Sequence, residues 1–233
     1  MRQIFLDTET TGLYPDRGDR IIEIGCVELV NRKLTGSHKH FYLNPGRDSH
    51  EDALKIHGIT SEFLRDKPEF GAVVDELLAY LAGAEILIHN AGFDLGFLNK
   101  ELALIERPQF RAHVGSVTDT LAMAKSLYPG KRNSLDALCD RLGVDNSGRT
   151  LHGALLDAEL LADVYINMTR GQDALLMDAS TALGEQGAVS GIDFGAFDLL
   201  VIVASAQERE AHADILRQID KSSGGKTVWQ AEA

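Results

Sequence analysis

The distribution of apolar residues in the first 43 positions predicts three β-strands. Residues 3–6 (QIFL) form a short run typical of a buried strand, and residues 21–30 (IIEIGCVELV) and 38–43 (HKHFYL) are rich in β-branched and aromatic side chains. Short links separate these runs and contain the turn residues Gly12, Pro15, Gly18 and Gly36. The pattern therefore predicts a meander of antiparallel strands at one edge of a sheet.

After residue 68 the pattern changes to an alternation of helices and strands. Apolar residues spaced three and four apart predict helices, and short continuous apolar runs predict strands. In chain order these are a helix at 69–83, a strand at 85–90, a helix at 94–106, a short strand at 113–118, and helices at 134–144 and 154–168. Ser134 and Gly143 are a start and a stop signal for one of these helices. The alternation predicts an α/β domain with a layered sheet.

The last quarter of the chain differs from the rest. The helical pattern ends near Arg170, and residues 172–196 become rich in Gly, Ala and Ser, which predicts a flexible linker. Residues 197–205 then predict a strand and residues 206–220 a helix. We therefore expect three parts, namely a domain at 1–171, a linker at 172–196 and a small segment at 197–233. The last is too short to bury much alone, so we expect it to dock with a partner.

The composition is typical of a globular protein, with 44% hydrophobic and 25% charged residues. The longest apolar stretches, such as LLVIVA, are far shorter than the roughly 20 residues that span a bilayer, and no secretory signal is visible. We therefore expect a cytoplasmic location and no membrane partner. Cys26 and Cys139 lie in a strand-like and a helix-like run, which favours two core residues over a disulfide or a zinc site.

The charge balance bears on possible partners. The chain has 23 basic and 35 acidic side chains, a net charge of −12. This is the wrong sign for tight binding of nucleic acid by charge alone. If the substrate is DNA, another interaction has to hold the protein near it.

Asp7 and Glu9 are the first candidates for chemistry. If the strand at 3–6 continues through Asp7, the two carboxylates project from one face of it, because alternate residues in a strand share a face. They repel each other unless a cation lies between them, and oxygen ligands suit Mg²⁺ or Mn²⁺. The alternative is an ordinary solvated strand end or a capping Asp.

Three further residues extend this set. Asp94 follows the predicted strand at 85–90 and begins a helix, a place that often lines a ligand crevice but that also suits a helix cap. His152 and Asp157 are five residues apart near the start of the last large helix. They would not share a face of an ideal helix, but Gly153 would let His152 swing toward Asp157. A structural His and a solvated Asp are the alternatives.

The combination of these five residues suits hydrolysis of a phosphodiester. Four carboxylates can hold two cations that stabilise the attacking and the leaving oxygens. An imidazole is substantially neutral at pH 7 and can accept a proton from the attacking water.

Three motifs carry a resemblance to a known family. DTETTGL, HNAGFD and HGALLD resemble the motifs of the DEDDh group of 3′→5′ exonucleases. Nearly the whole chain is similar to the family of proofreading epsilon subunits of bacterial DNA polymerase III. The resemblance implies a ribonuclease H-like fold and release of nucleoside 5′-monophosphates from DNA 3′ ends. It also implies two divalent cations, Mg²⁺ or Mn²⁺, held by Asp7, Glu9 and Asp157, with Asp94 often acting through water, and His152 as the general base.

The resemblance further implies contacts to the terminal nucleotide. Asp52 and His57, in the run EDALKIHGI, match positions that make such contacts in the family. The family more often has Glu where Asp52 stands, so neighbouring Glu51 is an alternative. Thr10 and Phe93 are weaker candidates.

Partners are implied as well. The tail resembles the segment that binds the polymerase alpha subunit, with Trp229 either an interface anchor or a core residue of a tail hairpin. Gln172, Leu175 and Met177 resemble a degenerate sliding-clamp peptide, for which chance similarity is the alternative. A small theta-like third subunit is left open. A flexible tether to a DNA-bound polymerase would raise the local concentration of an acidic exonuclease without a basic surface.

Two competing hypotheses remain at this point. One is a member of the same group that acts on RNA, such as an oligoribonuclease or a tRNA-trimming nuclease, although both usually lack a long linker and a tail. The other is a protein that bridges polymerase and clamp without catalysis, against which the intact acidic set argues.

Overall fold

The computed structural model describes residues 2–149, 151–180 and 204–224, with the backbone alone for 171–180. The described strands are β1 (Arg2–Thr10), β2 (Ile21–Val30), β3 (Lys33–Tyr42), β4 (Glu85–Ile88) and β5 (Ser116–Asp119). The described α-helices are α1 (Glu51–His57), α2 (Ser61–Leu64), α3 (Phe70–Leu81), α4 (Ala91–Leu104), α5 (Thr120–Leu127), α6 (Leu135–Leu142), α7 (Ala154–Ser180) and α8 (Ala206–Ser223). Single 3₁₀ turns lie at Pro15–Arg17 and Phe110–Ala112.

The five strands form one mixed sheet. Their order is β3-β2-β1-β4-β5, with β1 in the centre. The β1–β2 and β2–β3 pairs are antiparallel, whereas β1–β4 and β4–β5 are parallel. The predicted α/β class, with an antiparallel meander joined to parallel strands, is thereby confirmed.

Helices cover both faces of the sheet, and the alternation of β1 shows why. Ile4 and Leu6 pack into a cluster with residues of α3 and α4. Phe5, between them in sequence, packs into a second cluster with residues of α7. Successive strand residues face opposite sides, so β1 is buried on both faces and is fixed in the middle of the domain.

Gly25 of β2 lets α7 approach the sheet closely. A Cβ atom built on Gly25 would lie 2.3 Å from the backbone carbonyl of Ala154 and from the backbone nitrogen of Leu155. No other residue type fits there without a shift of backbone. The start of α7 is therefore set against the middle of β2.

Several element boundaries differ from the predicted ones. Helix α4 begins three residues earlier than expected, directly after Asn90, whose φ of 70° turns the chain from β4 into the helix. Strand β3 begins at Lys33, directly after the two-residue turn at Asn31 and Arg32, so the predicted turn residue Gly36 lies inside the strand. The short helices α1, α2 and α5 were not predicted, since elements of four to eight residues leave little periodic signal.

Helix α7 extends into the segment predicted as a linker. Its backbone continues through Ser180, and residues 172–180 (QDALLMDAS) contain helix-favouring Ala, Leu and Met but neither Gly nor Pro. The linker predicted at 172–196 stays a prediction, and the helix covers the backbone of its first nine residues. The chain divides into two compact units at Leu183–Gly184, and the boundaries predicted at 171 and 196 stay predictions.

The second unit is described through α8. This helix covers the predicted helix at 206–220 and begins with a capping box between Ser205 and Glu208. The strand predicted at 197–205 falls mostly outside the described residues, as does Trp229. Along the described stretches, no helix has the length and apolarity needed to cross a lipid bilayer.

Three smaller predictions are confirmed. The Ser134 side chain caps α6 by accepting a hydrogen bond from Ala137 N, and Gly143 ends that helix in the left-handed region. Cys26 and Cys139 are free and buried.

Candidate active site

Strand β1 places Asp7 and Glu9 on one face. Both lie in register with Phe5, on the side of the sheet that α7 covers, and both are partly buried. Thr8, between them, points to the other side of the strand. The prediction that the two carboxylates share a face is consistent with this geometry.

Asp94 approaches the same strand end from the other side. It lies in the first turn of α4 and is 3% exposed. The Thr8 hydroxyl donates a buried hydrogen bond of 2.7 Å to Asp94 Oδ1. The turn from β4 into α4 thus places Asp94 at the end of β1, and the bond from Thr8 holds it there.

His152 and Asp157 meet because the helix starts between them. Helix α7 begins at Ala154, so His152 precedes it and is free of helical geometry. Its backbone nitrogen donates to Ile56 O at 3.1 Å, and its Nδ1 lies 3.4 Å from Asp157 Oδ2. The part predicted for Gly153 stays a prediction, because its φ is not in the left-handed region and a Cβ there would meet no atom within 4 Å.

These side chains fit a divalent cation. One ligand atom each from Glu9, His152 and Asp157 lies within 4.8 Å of the others. Asp157 Oδ1 is buried and has no hydrogen-bond partner among the described residues, as expected of an atom whose partner is a cation. Asp7 lines the same cavity as His152 and Asp157. Asp94 is not among the three residues with ligand atoms within 4.8 Å of one another. Carboxylate oxygens are ligands that suit Mg²⁺ or Mn²⁺.

Burial and mutual repulsion raise the pKa values of these carboxyl groups. Burial raises the pKa of Asp7 well above its usual value, with further upward effects from Asp94 and Asp157. Burial, followed by repulsion from Asp157, raises the pKa of Glu9 to about 8. The pKa of Asp94 is raised to about 7, chiefly by burial, although the Thr8 hydrogen bond opposes this. Such a cluster favours a bound cation over protons once the pH is near neutral.

Two residues that sequence analysis missed organise the site. The Arg149 guanidinium donates to Asp157 Oδ2 at 2.6 Å and to His152 Nδ1 at 2.8 Å. Glu23 of β2 is buried and accepts from Ala154 N at 3.1 Å, so it caps α7 from the sheet. Arg149 lies in the run RTLHGALLD, but nothing in that run shows which acids it reaches.

A second cavity, of about 550 Å³, opens beside Glu9. Its lining includes Thr10, Asp52, His57 and Phe93, the four predicted nucleotide contacts. Asp52 is exposed and lines the cavity, whereas Glu51 is not among its lining residues. Of the two candidates for this contact to the terminal nucleotide, the position of the side chain favours Asp52 over Glu51.

His57 lines this cavity. Its Nδ1 accepts from Ile59 N at 2.9 Å, so the neutral ring carries its proton on Nε2. Nε2 is buried and without a partner among the described residues. Burial lowers the pKa of His57, which favours this neutral form.

His89 has a structural role. Its Nδ1 lies 3.1 Å from Thr120 Oγ1, and its Nε2 lies 2.9 Å from Asn133 O. Both ring nitrogens are thereby occupied.

Comparison with known sequences agrees with this geometry. The Exonuclease family (RNase_T) matches residues 4–165. The chain is 50% identical to the DNA polymerase III subunit epsilon of Pasteurella multocida over 98% of this chain and 93% of that protein. It is 48% identical to the subunit of the same name from Escherichia coli K12, over 99% of this chain and 98% of that protein.

Solved structures share the fold. Exonuclease X in complex with 5′ overhanging duplex DNA superimposes with a TM-score of 0.59 at 26% identity, covering 72% of this chain and 92% of that one. Exonuclease I of E. coli in its complex with single-stranded DNA gives a TM-score of 0.65 at 22% identity, over 77% of this chain and 43% of that one.

Proposed function

The chain belongs to the exonuclease family, among the epsilon subunits of bacterial DNA polymerase III, and we propose that it hydrolyses the terminal phosphodiester of DNA 3′ ends with the five residues described above. The activity is that of a metal-dependent 3′→5′ exonuclease. The observation that carries the assignment of residues is the convergence of Glu9, His152 and Asp157 within 4.8 Å.

In this proposal Asp7, Glu9 and Asp157 hold two divalent cations, Mg²⁺ or Mn²⁺, and Asp94 completes the site through water. When bound, the cations neutralise the charge that develops on the scissile phosphate and lower the pKa of the attacking water. The protein supplies a rigid frame for them, because Asp7 and Glu9 lie on the central strand and Asp94 is held by Thr8.

His152 acts as the general base. Its side chain is 46% exposed, so it can reach a water molecule at the cavity mouth. Unlike His89, it lies beside the proposed metal ligands. An imidazole can accept a proton near neutral pH.

The cavity beside Glu9 receives the terminal nucleotide. His57 donates from Nε2, Asp52 accepts at the rim, and Phe93 and Thr10 line the wall. Placing the nucleotide here brings its phosphate to Glu9, which lines this cavity and also belongs to the metal-binding trio.

A time course on a 3′-mispaired DNA primer tests these roles. We expect release of nucleoside 5′-monophosphates with Mg²⁺ or Mn²⁺ and none with EDTA. The His152→Ala variant should lower kcat by roughly 100- to 10,000-fold, the usual contribution of a general base. The Asp7→Ala, Glu9→Ala double variant should be inactive.

The matched control is His38→Ala, an exposed His on β3 away from the site, which should keep wild-type activity. Full hydrolysis by the double variant would contradict the metal site. Faster hydrolysis of short RNA than of the primer would favour the RNA-acting alternative.

We further propose that the tail at 197–233 binds the polymerase alpha subunit. Ile215 and Ile219 are exposed and four residues apart on α8, so they share a face. An Ile215→Asp, Ile219→Asp variant should lose binding to the alpha subunit yet retain nuclease activity. A chain that bound the alpha subunit equally well with both changes would contradict this assignment of the face.

We also propose a contact for the first residues of the predicted linker. Gln172, Leu175 and Met177 would contact the sliding clamp, although their backbone lies in α7 and their side chains are outside the described residues. Unchanged clamp affinity after removal of Gln172 and Leu175 would contradict it. A theta-like subunit on the catalytic domain and a cytoplasmic location follow from the same family membership and are proposed on that basis.

A further inference from the structure

Arg149 occupies a position inside the acidic site rather than on its edge. Its side chain is only 7% exposed. The guanidinium donates to Asp157 Oδ2 at 2.6 Å and to His152 Nδ1 at 2.8 Å, and it also pairs with Asp136 at the start of α6. Its charge also counteracts the upward pKa shifts of Asp7 and Glu9. The guanidinium is therefore close to most of the negative charge of the site.

Two of these acceptors belong to residues that could hold a cation. Asp157 and His152 belong to the trio with ligand atoms within 4.8 Å of one another. A carboxylate oxygen that receives a short charge-assisted hydrogen bond from a guanidinium offers less electron density to a metal, and the two positive charges repel at such short range. Binding of Arg149 and binding of a divalent cation therefore oppose each other at Asp157 and His152.

The same contacts restrain His152. A guanidinium can only donate, so Nδ1 of His152 accepts and the neutral ring carries its proton on Nε2. In this arrangement neither ring nitrogen is available to take a proton from water. For His152 to act as a base, the bond from Arg149 has to break.

We propose that Arg149 is an internal counter-cation that holds the site in a resting arrangement and is displaced when divalent metal binds. Its displacement frees Asp157 Oδ2 to join Oδ1 in coordination and releases His152 for proton transfer. The protein thereby couples its catalytic base to metal occupancy. This inference rests on the proposed metal site.

Binding of Mn²⁺ to the full-length chain, measured by isothermal titration calorimetry after treatment with EDTA, tests the competition. The Arg149→Gln variant should bind Mn²⁺ roughly tenfold or more tightly than wild type, because a hydrogen-bonded charge no longer competes for the ligands. Without metal, the same variant should melt at a lower temperature than wild type, since four carboxylates lose their counter-cation.

The matched control is Arg107→Gln. Arg107 follows the far end of α4 and pairs with the exposed Asp75, so its loss removes the same charge away from the site. This variant should bind Mn²⁺ with nearly wild-type affinity. A purely structural role for Arg149, bracing α6 against α7, predicts unchanged or weaker Mn²⁺ binding in Arg149→Gln, and that result would overturn the proposal.

A second measurement uses the wild-type chain and does not depend on the variant folding. Modification of arginines by phenylglyoxal, read by mass spectrometry, should be slow at Arg149 in EDTA and severalfold faster with saturating Mn²⁺. Arg107 should react at the same rate in both conditions. Equal protection of Arg149 with and without Mn²⁺ would overturn displacement. No binding of Mn²⁺ by wild type would instead contradict the metal site itself.

Discussion

Four carboxylates crowd the end of β1, and their protonation depends on how deeply the fold buries them. Glu9 illustrates this, because its pKa is raised from 4.5 to about 8 by burial and by neighbouring Asp157. The unfolded chain releases this proton near pH 4.5, whereas the folded chain keeps it until about pH 8. Between these values the folded state binds more protons than the unfolded state.

The sign of the pH dependence follows from that difference. The stability contributed by protonated Glu9 is fully present below pH 4.5 and is lost as pH rises through 8, so the free energy of unfolding in EDTA should fall over this window. The Glu9→Gln variant cannot ionise and should show a weaker fall, measured by urea denaturation at pH 5, 6, 7 and 8. Exposed Glu62 provides the control, as Glu62→Gln should keep the wild-type profile. Parallel profiles for wild type and Glu9→Gln would contradict the pKa shift.

The sequence predicts the acidic residues and His152 as site residues but not the groups that hold them. Local patterns locate Asp7, Glu9, Asp94, His152 and Asp157, because each lies at the end of a strand or the start of a helix. The partners Thr8 and Glu23 are distant from Asp94 and Ala154 in sequence. Their hydrogen bonds exist only after the sheet and helices pack, and no local spacing encodes them.

The contact between β2 and α7 leaves no room for a side chain at Gly25. Helix α7 supplies Asp157, and its start is pressed against Gly25. The position of this carboxylate therefore depends on a glycine in another element.

Gly25→Ala tests this dependence. The new Cβ would meet backbone of Ala154 and Leu155 at 2.3 Å, so we expect a loss of about 3 kcal/mol in the free energy of unfolding, at the upper end of typical overpacking, and weaker Mn²⁺ binding. Gly71→Ala in α3 is the matched control, because its Cβ would meet only Ile105 Cγ2 at an ordinary 3.6 Å. It should be neutral or stabilising by up to about 1 kcal/mol. Equal stability of the two variants would show that α7 can shift freely.

Helix α4 is tied to the sheet by an ion pair. Arg20, just before β2, donates twice to Glu101 of α4, at 2.7 Å each, and Glu101 is only 2% exposed. Ile21 N also donates to Glu101 Oε1 at 3.2 Å. One carboxylate thus fixes the start of β2 against the helix that carries Asp94.

Glu101→Ala should cost about 3 kcal/mol in urea denaturation, because it leaves a partly buried guanidinium and a buried amide without their acceptor. Asp75→Ala removes the acceptor of Arg107 from an exposed pair, and its effect should stay within about 0.5 kcal/mol. A cost as small for Glu101→Ala as for Asp75→Ala would mean that solvent or another residue replaces this acceptor.

At the level of elements, periodicity predicts the long helices and the alternation of the sheet well, and it fails where local signals conflict with packing. Asn90 is a favoured N-cap residue type, but its left-handed conformation and the lack of a side-chain cap bond are not indicated by that preference. Helix α7 runs past Arg170 because residues 172–180 favour a helix, although the wider segment is rich in Gly and Ser. The order of the strands follows from pairings between distant segments, which periodicity does not encode.

For the whole molecule, the net charge of −12 is the main limit on its affinity for DNA. A tether to the polymerase would supply the proximity that charge does not. Weak intrinsic affinity also suits a proofreader, since a free subunit that bound duplex ends tightly would degrade DNA that it should ignore.

The isolated chain should therefore bind a single-stranded primer with a shallow dependence on salt. Each neutralised phosphate on a single strand contributes a slope of roughly −0.7 in log K against log salt concentration, and we expect a slope no steeper than about −2. Fluorescence anisotropy with the His152→Ala variant, from 50 to about 300 mM salt, measures it without hydrolysis. A steep slope would refute the role of tethering.

The last of the proposed ligands, Asp157, lies in α7, the final helix of the domain. On the ribosome, β1 and its two carboxylates emerge first, but they stay without their partner until this helix has left the exit tunnel and packed on the sheet. A chain that ends before α7 lacks a proposed metal ligand, so we expect it not to hydrolyse DNA. In that case the order of synthesis also sets when activity can first appear.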